Sequence, residues 1–196
     1  MSSFFAYLAR MRYVRRWNLM RNTADEDIAQ HSLQVAHIAH ALVLLHNKRH
    51  LAAGETPLDA GRAVELAIYH EVPELITGDL ASPIKYDNAE ITAAFRRIEG
   101  MAAIRLHGLL PEDLKDDYES LLCRPEEEAV WPYVKAADRI CAYVKCVEEK
   151  RAGNAEFDRA KESIERGLTR ITLPAVADFL RECLPAYGWT LDELNT

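Results

Sequence analysis

The chain has 196 residues, enough for one domain with a full hydrophobic core. Apolar residues make up 49 % of it, which excludes a disordered chain. Its net charge of -7 argues against a general binder of nucleic-acid backbone, which needs a basic face, but leaves a small anionic substrate open. No apolar run approaches the roughly 20 residues that span a bilayer, and the start Met1-Ser2-Ser3-Phe4-Phe5 lacks a leader pattern. Cys123, Cys141, Cys146 and Cys183 have no C-x-x-C spacing, so they read as reduced thiols of a cytoplasmic protein. Cys141 and Cys146 fall within a helical apolar pattern and are expected in the core.

In chain order, residues 4–13 predict a short helix, with Phe4, Phe5, Leu8, Met11 and Tyr13 as inward residues. The stretch Arg15-Arg16-Trp17-Asn18-Leu19-Met20-Arg21-Asn22 breaks the pattern. Guanidinium groups beside an aromatic ring suit a phosphate with a flat base or sugar, and the same composition suits a helix end with Trp17 packed on the core. Asp25-Glu26-Asp27 is expected to open a helix to about residue 47, its acids complementing the helix dipole. Ile28, Leu33, Val35, Ile38, Leu42 and Leu45 recur at helical spacing there. His31 falls near the helix start, where a cavity can open, and His37 and His40 read as packing histidines.

After a loop over 47–60, a helix over 60–71 runs into Tyr69-His70-Glu71-Val72-Pro73-Glu74-Leu75-Ile76-Thr77-Gly78-Asp79. Proline disfavours the helical region for the residue before it, so Val72 ends or kinks this helix. An imidazole next to a carboxylate is a mixed N/O donor set for a first-row divalent metal. Charged residues at a helix end commonly face solvent, so the pair needs partners elsewhere. It is no H-E-x-x-H site, because Glu74 stands where the second His would be.

A loop over 80–86 and a helix over 88–108 follow, the helix carrying Ile91, Phe95, Ile98, Met101, Ala102 and Leu106. Residues 112–118 predict a short helical stretch. A long helix over 126–150, with Pro132 in its first turn, has an apolar stripe that contains Asp138. A carboxylate in such a stripe is costly unless paired or bound to a metal. Gly153-Asn154 closes this helix, further helices cover 155–169 and 174–184, and 189–196 reads as a loop or cap. The chain is therefore expected to be all-α, with at least six helices.

His31, His70-Glu71 and Asp138 form a series on three predicted helices. It resembles the HD-domain metal-dependent phosphohydrolases, whose site takes a His, a His-Asp pair and a distant Asp. The neighbouring motifs sharpen the likeness: Arg16-Trp17-x-Leu-Met-Arg-Asn, Gln30-His31-Ser32-Leu33-Gln34-Val35-Ala36, Tyr69-His70-Glu71 with Glu74, Thr77-Gly78-Asp79-Leu80, Ser82-Pro83-Ile84-Lys85-Tyr86, and Lys135-Ala136-Ala137-Asp138 with Cys141-Ala142-Tyr143. These are similar to the bacterial 5'-deoxynucleotidase branch of that superfamily, over residues 4 to about 160. The resemblance implies a single HD-type helical domain over residues 1–196, with 160–196 the weaker part. It implies one divalent metal (Co, Mn, Zn or similar) on His31, His70, Glu71 and Asp138. Glu74 would position or deprotonate the attacking water. Arg16 and Trp17 would contact the nucleotide, Trp17 at the sugar, where it disfavours a 2'-hydroxyl. Asp79 would face the sugar hydroxyl or leaving group, and Lys85 the phosphate. The implied substrate is a deoxyribonucleoside 5'-monophosphate, with no nucleic-acid polymer or membrane as partner, and the implied assembly is a homodimer.

The sequence departs from that pattern twice. Glu71 stands where the family's defining pair has Asp, one methylene longer, and Gln30 stands where this branch more often has an acid. Two other readings stay open. One is a nucleoside triphosphate or other phosphoester hydrolase on the same site. The other is a non-catalytic nucleotide-binding HD-like protein with a decayed metal site.

Overall fold

A computed structural model describes residues 1–195. Among them the regular elements are all helical, as the sequence predicts. The helices are α1 (Phe4–Leu8), α2 (Ile28–Arg49), α3 (Ala60–Tyr69), α4 (Glu74–Thr77), α5 (Ser82–Lys85), α6 (Ala89–His107), α7 (Lys115–Leu122), α8 (Trp131–Arg151), α9 (Asp158–Leu168) and α10 (Pro174–Glu182). The two four-residue helices α4 and α5 lie in stretches read as turn and loop, because one turn of helix is too short for an apolar period to register. The expected first helix is shorter, with α1 stopping at Leu8 and a 3-10 turn over Met11–Tyr13. Of its expected inward residues Phe4 and Met11 are buried, but Phe5 and Tyr13 are exposed. The C-terminal end is two 3-10 turns, Leu184–Gly188 and Glu193–Asn195, and the last residue of the predicted cap, Thr196, lies outside the described residues.

The bundle is built around α2, which packs against α3, α8 and α10, while α9 lies on α8. Ile28, Val35, Ile38 and Leu42 give α2 its inner face, against Ala63 and Leu66 of α3, Val134 and Ile140 of α8, and Val176 and Phe179 of α10. Cys141 and Cys146 are buried there, as expected. His37, His40 and Leu33, read as packing residues, are instead exposed. The neighbours Ile38 and Ala39 already fill the inner face, so the helical period turns these three outward. By length and composition α2 could cross a membrane, contrary to the reading that no apolar run comes near. Half of it is buried inside the bundle, which makes it the core helix.

The acids 25–27 precede α2 rather than forming its first turn. Asp27 is the N-cap, its carboxylate accepting from the N–H groups of Ala29 and Gln30, each at 2.9 Å. Gln30 reaches back to the Asp27 N–H and completes a capping box. The α6 stripe is only partly inward. Ala102 and Leu106 are buried, whereas Ile91, Ile98 and Met101 are exposed, along with Ile104. This helix lies at the margin, packed mainly against α4, α5 and α7, and its outer face is exposed among the described residues.

Candidate metal centre and active site

Three neighbouring elements bring the donors together. The α2 N-cap fixes the first turns of that helix, and His31 there is fully buried. α3 ends at Tyr69, earlier than the Val72 boundary expected from Pro73, so His70 and Glu71 stand on the turn between α3 and α4 rather than on the last helical turn. Asp138 comes from the face of α8 that packs on α2 and α3. One donor atom from each of His31, His70, Glu71 and Asp138 lies within 4.8 Å of the others. His31 Nε2 is 3.1 Å from Asp138 Oδ1, and His70 Nε2 is 3.0 Å from Glu71 Oε1.

The chemistry of these donors fits a cation. His70 Nδ1 is 2.7 Å from the Ala67 carbonyl, which can only accept, so Nδ1 carries the proton. Nε2 then points toward the Glu71 carboxylate. That nitrogen is buried with no hydrogen-bond partner, as are Glu71 Oε2 and Glu74 Oε2. Buried donor atoms without partners are costly, and a shared divalent ion satisfies them. Glu71 reaches the cluster on its longer arm, so the departure from Asp removes no donor.

The charges around the cluster are opposed in an ordered way. Burial alone would raise Glu71 and Asp138. For Glu71 the His70 and Arg16 charges outweigh it, and for Asp138 those of Lys135 and His31 do, so both stay well below the usual carboxylate range. Burial and Arg16 oppose protonation of His31, but hydrogen bonds to Asp138 and Glu26 prevail and raise it. Glu74 behaves differently. Burial first, then the charge of Glu71 and a hydrogen bond to it, push Glu74 up to about 11. Without a cation this pair therefore shares a proton at neutral pH.

Arg16 and Trp17 are drawn into the same site. The Arg16 guanidinium lies between Glu26, at 3.4 Å, and Glu71, at 3.8 Å. Trp17 packs on Phe157 with 5.3 Å between ring centroids, so its ring does rest on the core. The Trp17 backbone N–H donates to Asp79 Oδ2 at 3.3 Å, and Asn18 Nδ2 donates to the Asp79 carbonyl at 3.1 Å, which joins two of the predicted nucleotide contacts. Burial raises the Asp79 pKa against the pull of Arg16.

Lys85 lies near enough for its charge to act on Asp79 and Glu74, but it is also engaged elsewhere. Its ammonium lies 2.6 Å from Glu99 of α6 and over the Phe95 ring. The lysine that adjoins the donors is Lys135, with Nζ 2.6 Å from Asp138 Oδ2. Its spacing of three residues before Asp138 puts both on one helix face, a signal available in the sequence. Glu26 is the second residue the sequence reading missed. It accepts from Trp17 Nε1 at 2.8 Å, pairs with Arg16, and sits 3.5 Å from His31 Nδ1. Glu26 thus lies on the Nδ1 side of His31 and leaves Nε2 facing Asp138. Glu26 puts a carboxylate beside His31, while Gln30 turns away to cap the helix. No periodicity could show this, because Glu26 precedes the helix.

A helical bundle in which His, His-acid and Asp converge on one cation-sized space defines an HD-type metal-dependent phosphohydrolase. The chain belongs to the 5'-deoxynucleotidase YfbR-like family, whose model matches residues 3–187. A 5'-deoxynucleotidase of Shewanella oneidensis is 44 % identical over 196 residues, covering 100 % of this chain and 98 % of that protein. One of Vibrio cholerae is 45 % identical over 198 residues, covering 99 % and 98 %. Among solved structures, an HD-domain phosphohydrolase from Listeria innocua has a TM-score of 0.82 at 20 % identity, covering 99 % of this chain and 92 % of that one. The cyanophage S-2L HD phosphohydrolase DatZ, bound to dA and one catalytic Zn2+ ion, has a TM-score of 0.60 at 18 % identity, covering 92 % and 93 %. The likeness inferred from the sequence motifs is therefore borne out at the level of family and fold.

Proposed function

We propose that the protein hydrolyses deoxyribonucleoside 5'-monophosphates to deoxynucleoside and phosphate, at one divalent cation on His31, His70, Glu71 and Asp138. The observation that carries this reading is the junction of that donor set with the Arg16-Trp17-Asp79 group, through Glu71 and Glu26. The full-length relatives named 5'-deoxynucleotidase and the phage neighbour bound to dA and zinc support the same substrate class.

A divalent cation at this position supplies Lewis acidity toward a phosphate oxygen and lowers the pKa of water. Glu74 takes the proton of the attacking water, whose oxygen bonds to phosphorus as the bond to the 5'-oxygen breaks in line. Asp79, or a water it holds, gives the departing alkoxide its proton. Arg16 stabilises the phosphoryl oxygens electrostatically, in a site too buried for water to screen it. Lys135, half-exposed beside Asp138, is the second cation on the phosphate side, in the role first given to Lys85.

The test is phosphate release from dAMP and AMP by metal-stripped protein, with Mn2+, Co2+, Zn2+ or Mg2+ added back singly. Release from dAMP well above AMP is expected, with discrimination on the order of tenfold or more lost in Trp17→Ala. Equal release from both would remove the selectivity given to Trp17. Release of pyrophosphate or phosphate from dATP in preference to dAMP would favour the triphosphatase reading.

The homodimer belongs to the same proposal. The exposed face of α6, with Ile91, Ile98, Met101 and Ile104, is an apolar surface that a second copy can cover. Ile98→Arg is expected to shift the species seen by sedimentation from dimer to monomer; an unchanged dimer would place the interface elsewhere.

A further inference from the structure

Glu149 lies on α8, eleven residues beyond Asp138, and takes no part in the chemistry above. It is 1 % exposed. Every group around it donates. Thr23 gives its N–H, at 3.1 and 3.0 Å to the two carboxylate oxygens, and its hydroxyl at 2.8 Å. The Ala24 N–H lies at 3.4 Å and Asn154 Nδ2 at 2.8 Å, and Lys145 Nζ completes the set. Burial would raise this carboxyl, but the hydrogen bonds from Lys145, Asn154 and Thr23 hold it down at about 2. Lys145 also donates to the Ala24 carbonyl, and Asn154 to the Arg21 carbonyl. One buried carboxylate thus grips the 21–24 segment at several points.

That segment lies between the residues that face the site. Trp17 precedes it, with φ of 55°, the left-handed region that a bulky side chain seldom adopts. Glu26 follows it and ties Trp17 Nε1, Arg16 and His31 together. Trp17 is held locally through its carbonyl, which accepts from the Met20 N–H at 2.9 Å. Asn22 Nδ2 donates to its carbonyl, and Asp79 accepts from its N–H. Beneath its ring is Phe157, fully buried, whose other neighbour is the Lys145 ammonium at 5.7 Å. The 16–26 loop is therefore anchored from α8 at both its ring and its backbone.

We propose that Glu149 is a positioning residue: it acts through Thr23 and Ala24 to hold Trp17 in its left-handed backbone state and Glu26 against His31, and so sets how closely the sugar is read. This rests on the reading that Trp17 faces the sugar. A misplacement of about 1 Å at a binding group costs up to on the order of 10²-fold in turnover efficiency. Glu149→Gln is the sharp variant, because an amide nitrogen cannot accept from a surround made only of donors and leaves the Lys145 charge buried without a counter-ion. Thr23→Val removes one of the bonds from an exposed position and keeps the fold.

The experiment compares wild type, Glu149→Gln and Thr23→Val by the Trp17 indole N–H resonance, assigned with Trp17→Phe, and by dAMP and AMP kinetics with saturating Mn2+. Expected are a displaced or broadened Trp17 resonance, a KM for dAMP raised severalfold more than kcat is lowered, and a reduced dAMP-over-AMP ratio. A lowered melting temperature with the resonance, KM and ratio unchanged would make Glu149 a stabilising residue only and overturn the proposal. If Glu149→Gln does not fold, Thr23→Val decides by the same criteria. If the wild type hydrolyses neither nucleotide, the substrate reading fails, and the resonance alone still decides the positioning role.

Discussion

Glu74→Gln is expected to lower phosphate release from dAMP by about 10² to 10⁴-fold while divalent-cation affinity stays within a few-fold of wild type. Glu74 is buried beside the donor set but is not one of its members. Its pKa is raised by burial and by Glu71, so without a cation it is the protonated partner of that pair. Glutamine keeps a hydrogen-bond donor toward Glu71 and nearly the same volume, so the fold loses little. It cannot accept a proton from water. When Glu71 shares its charge with a cation, the repulsion that holds the proton on Glu74 weakens, and the carboxylate is freed as a base. Glu74→Ala adds a cavity but should give the same split between binding and turnover. Cation titration by calorimetry beside phosphate-release kinetics makes the check. Turnover within a few-fold of wild type would remove Glu74 from the chemistry, and loss of cation binding would make it a ligand instead.

The parts of the site legible in the sequence are those whose geometry is set locally. His70 and Glu71 are adjacent, and Pro73 marks the end of the helix above them to within one turn. Asp138 was conspicuous because a carboxylate within an apolar stripe demands a partner. His31 was recoverable from its place near a helix start, where the Asp27 cap holds the first turn. Apart from Leu33, the core pattern of α2 and α8 is legible in the same way, since period and burial coincide at the other positions.

What the sequence hid depends on tertiary contacts. Glu26 and Gln30 are both polar residues near His31, and nothing in their spacing tells that one turns inward while the other caps the helix. Lys85 and Lys135 carry the same charge. Only the packing of α5 on α6 shows that Lys85 is engaged by Glu99. The apolar stripe of α6 predicted burial, but an apolar face records that something covers it, not whether this chain does. The positive φ of Trp17 had no sequence signal either, because no glycine or asparagine marks that position.

Removal of the divalent cation is expected to abolish phosphate release and to lower the melting temperature, both reversed by adding one cation back. A cation that stabilises developing charge by several kcal/mol accounts for more than about a thousandfold in rate. The stability effect follows from mass action: a ligand at 100 times its dissociation constant stabilises the folded state by about 2.7 kcal/mol. For a chain of this size that is a rise of roughly 5–10 °C. The cation-free cluster has cause to be less stable, since His70 Nε2 and Glu71 Oε2 lie buried without partners. Protons compete for the same space. The His31 pKa is raised above its ordinary 6.5, so the support it gives the cation-free fold is full below that value and is lost as pH rises through the folded-state pKa. The rise in melting temperature on adding a cation should therefore grow from acidic toward neutral pH. Glu71→Ala should abolish that rise, while Glu71→Asp should keep it, because the carboxylate rather than its reach supplies the charge. Thermal melts with and without Mn2+, across pH and beside the dAMP assay, make the measurement. A folded wild type with no shift and no release for any of the four cations would identify a decayed site and move the protein to the non-catalytic nucleotide-binding class.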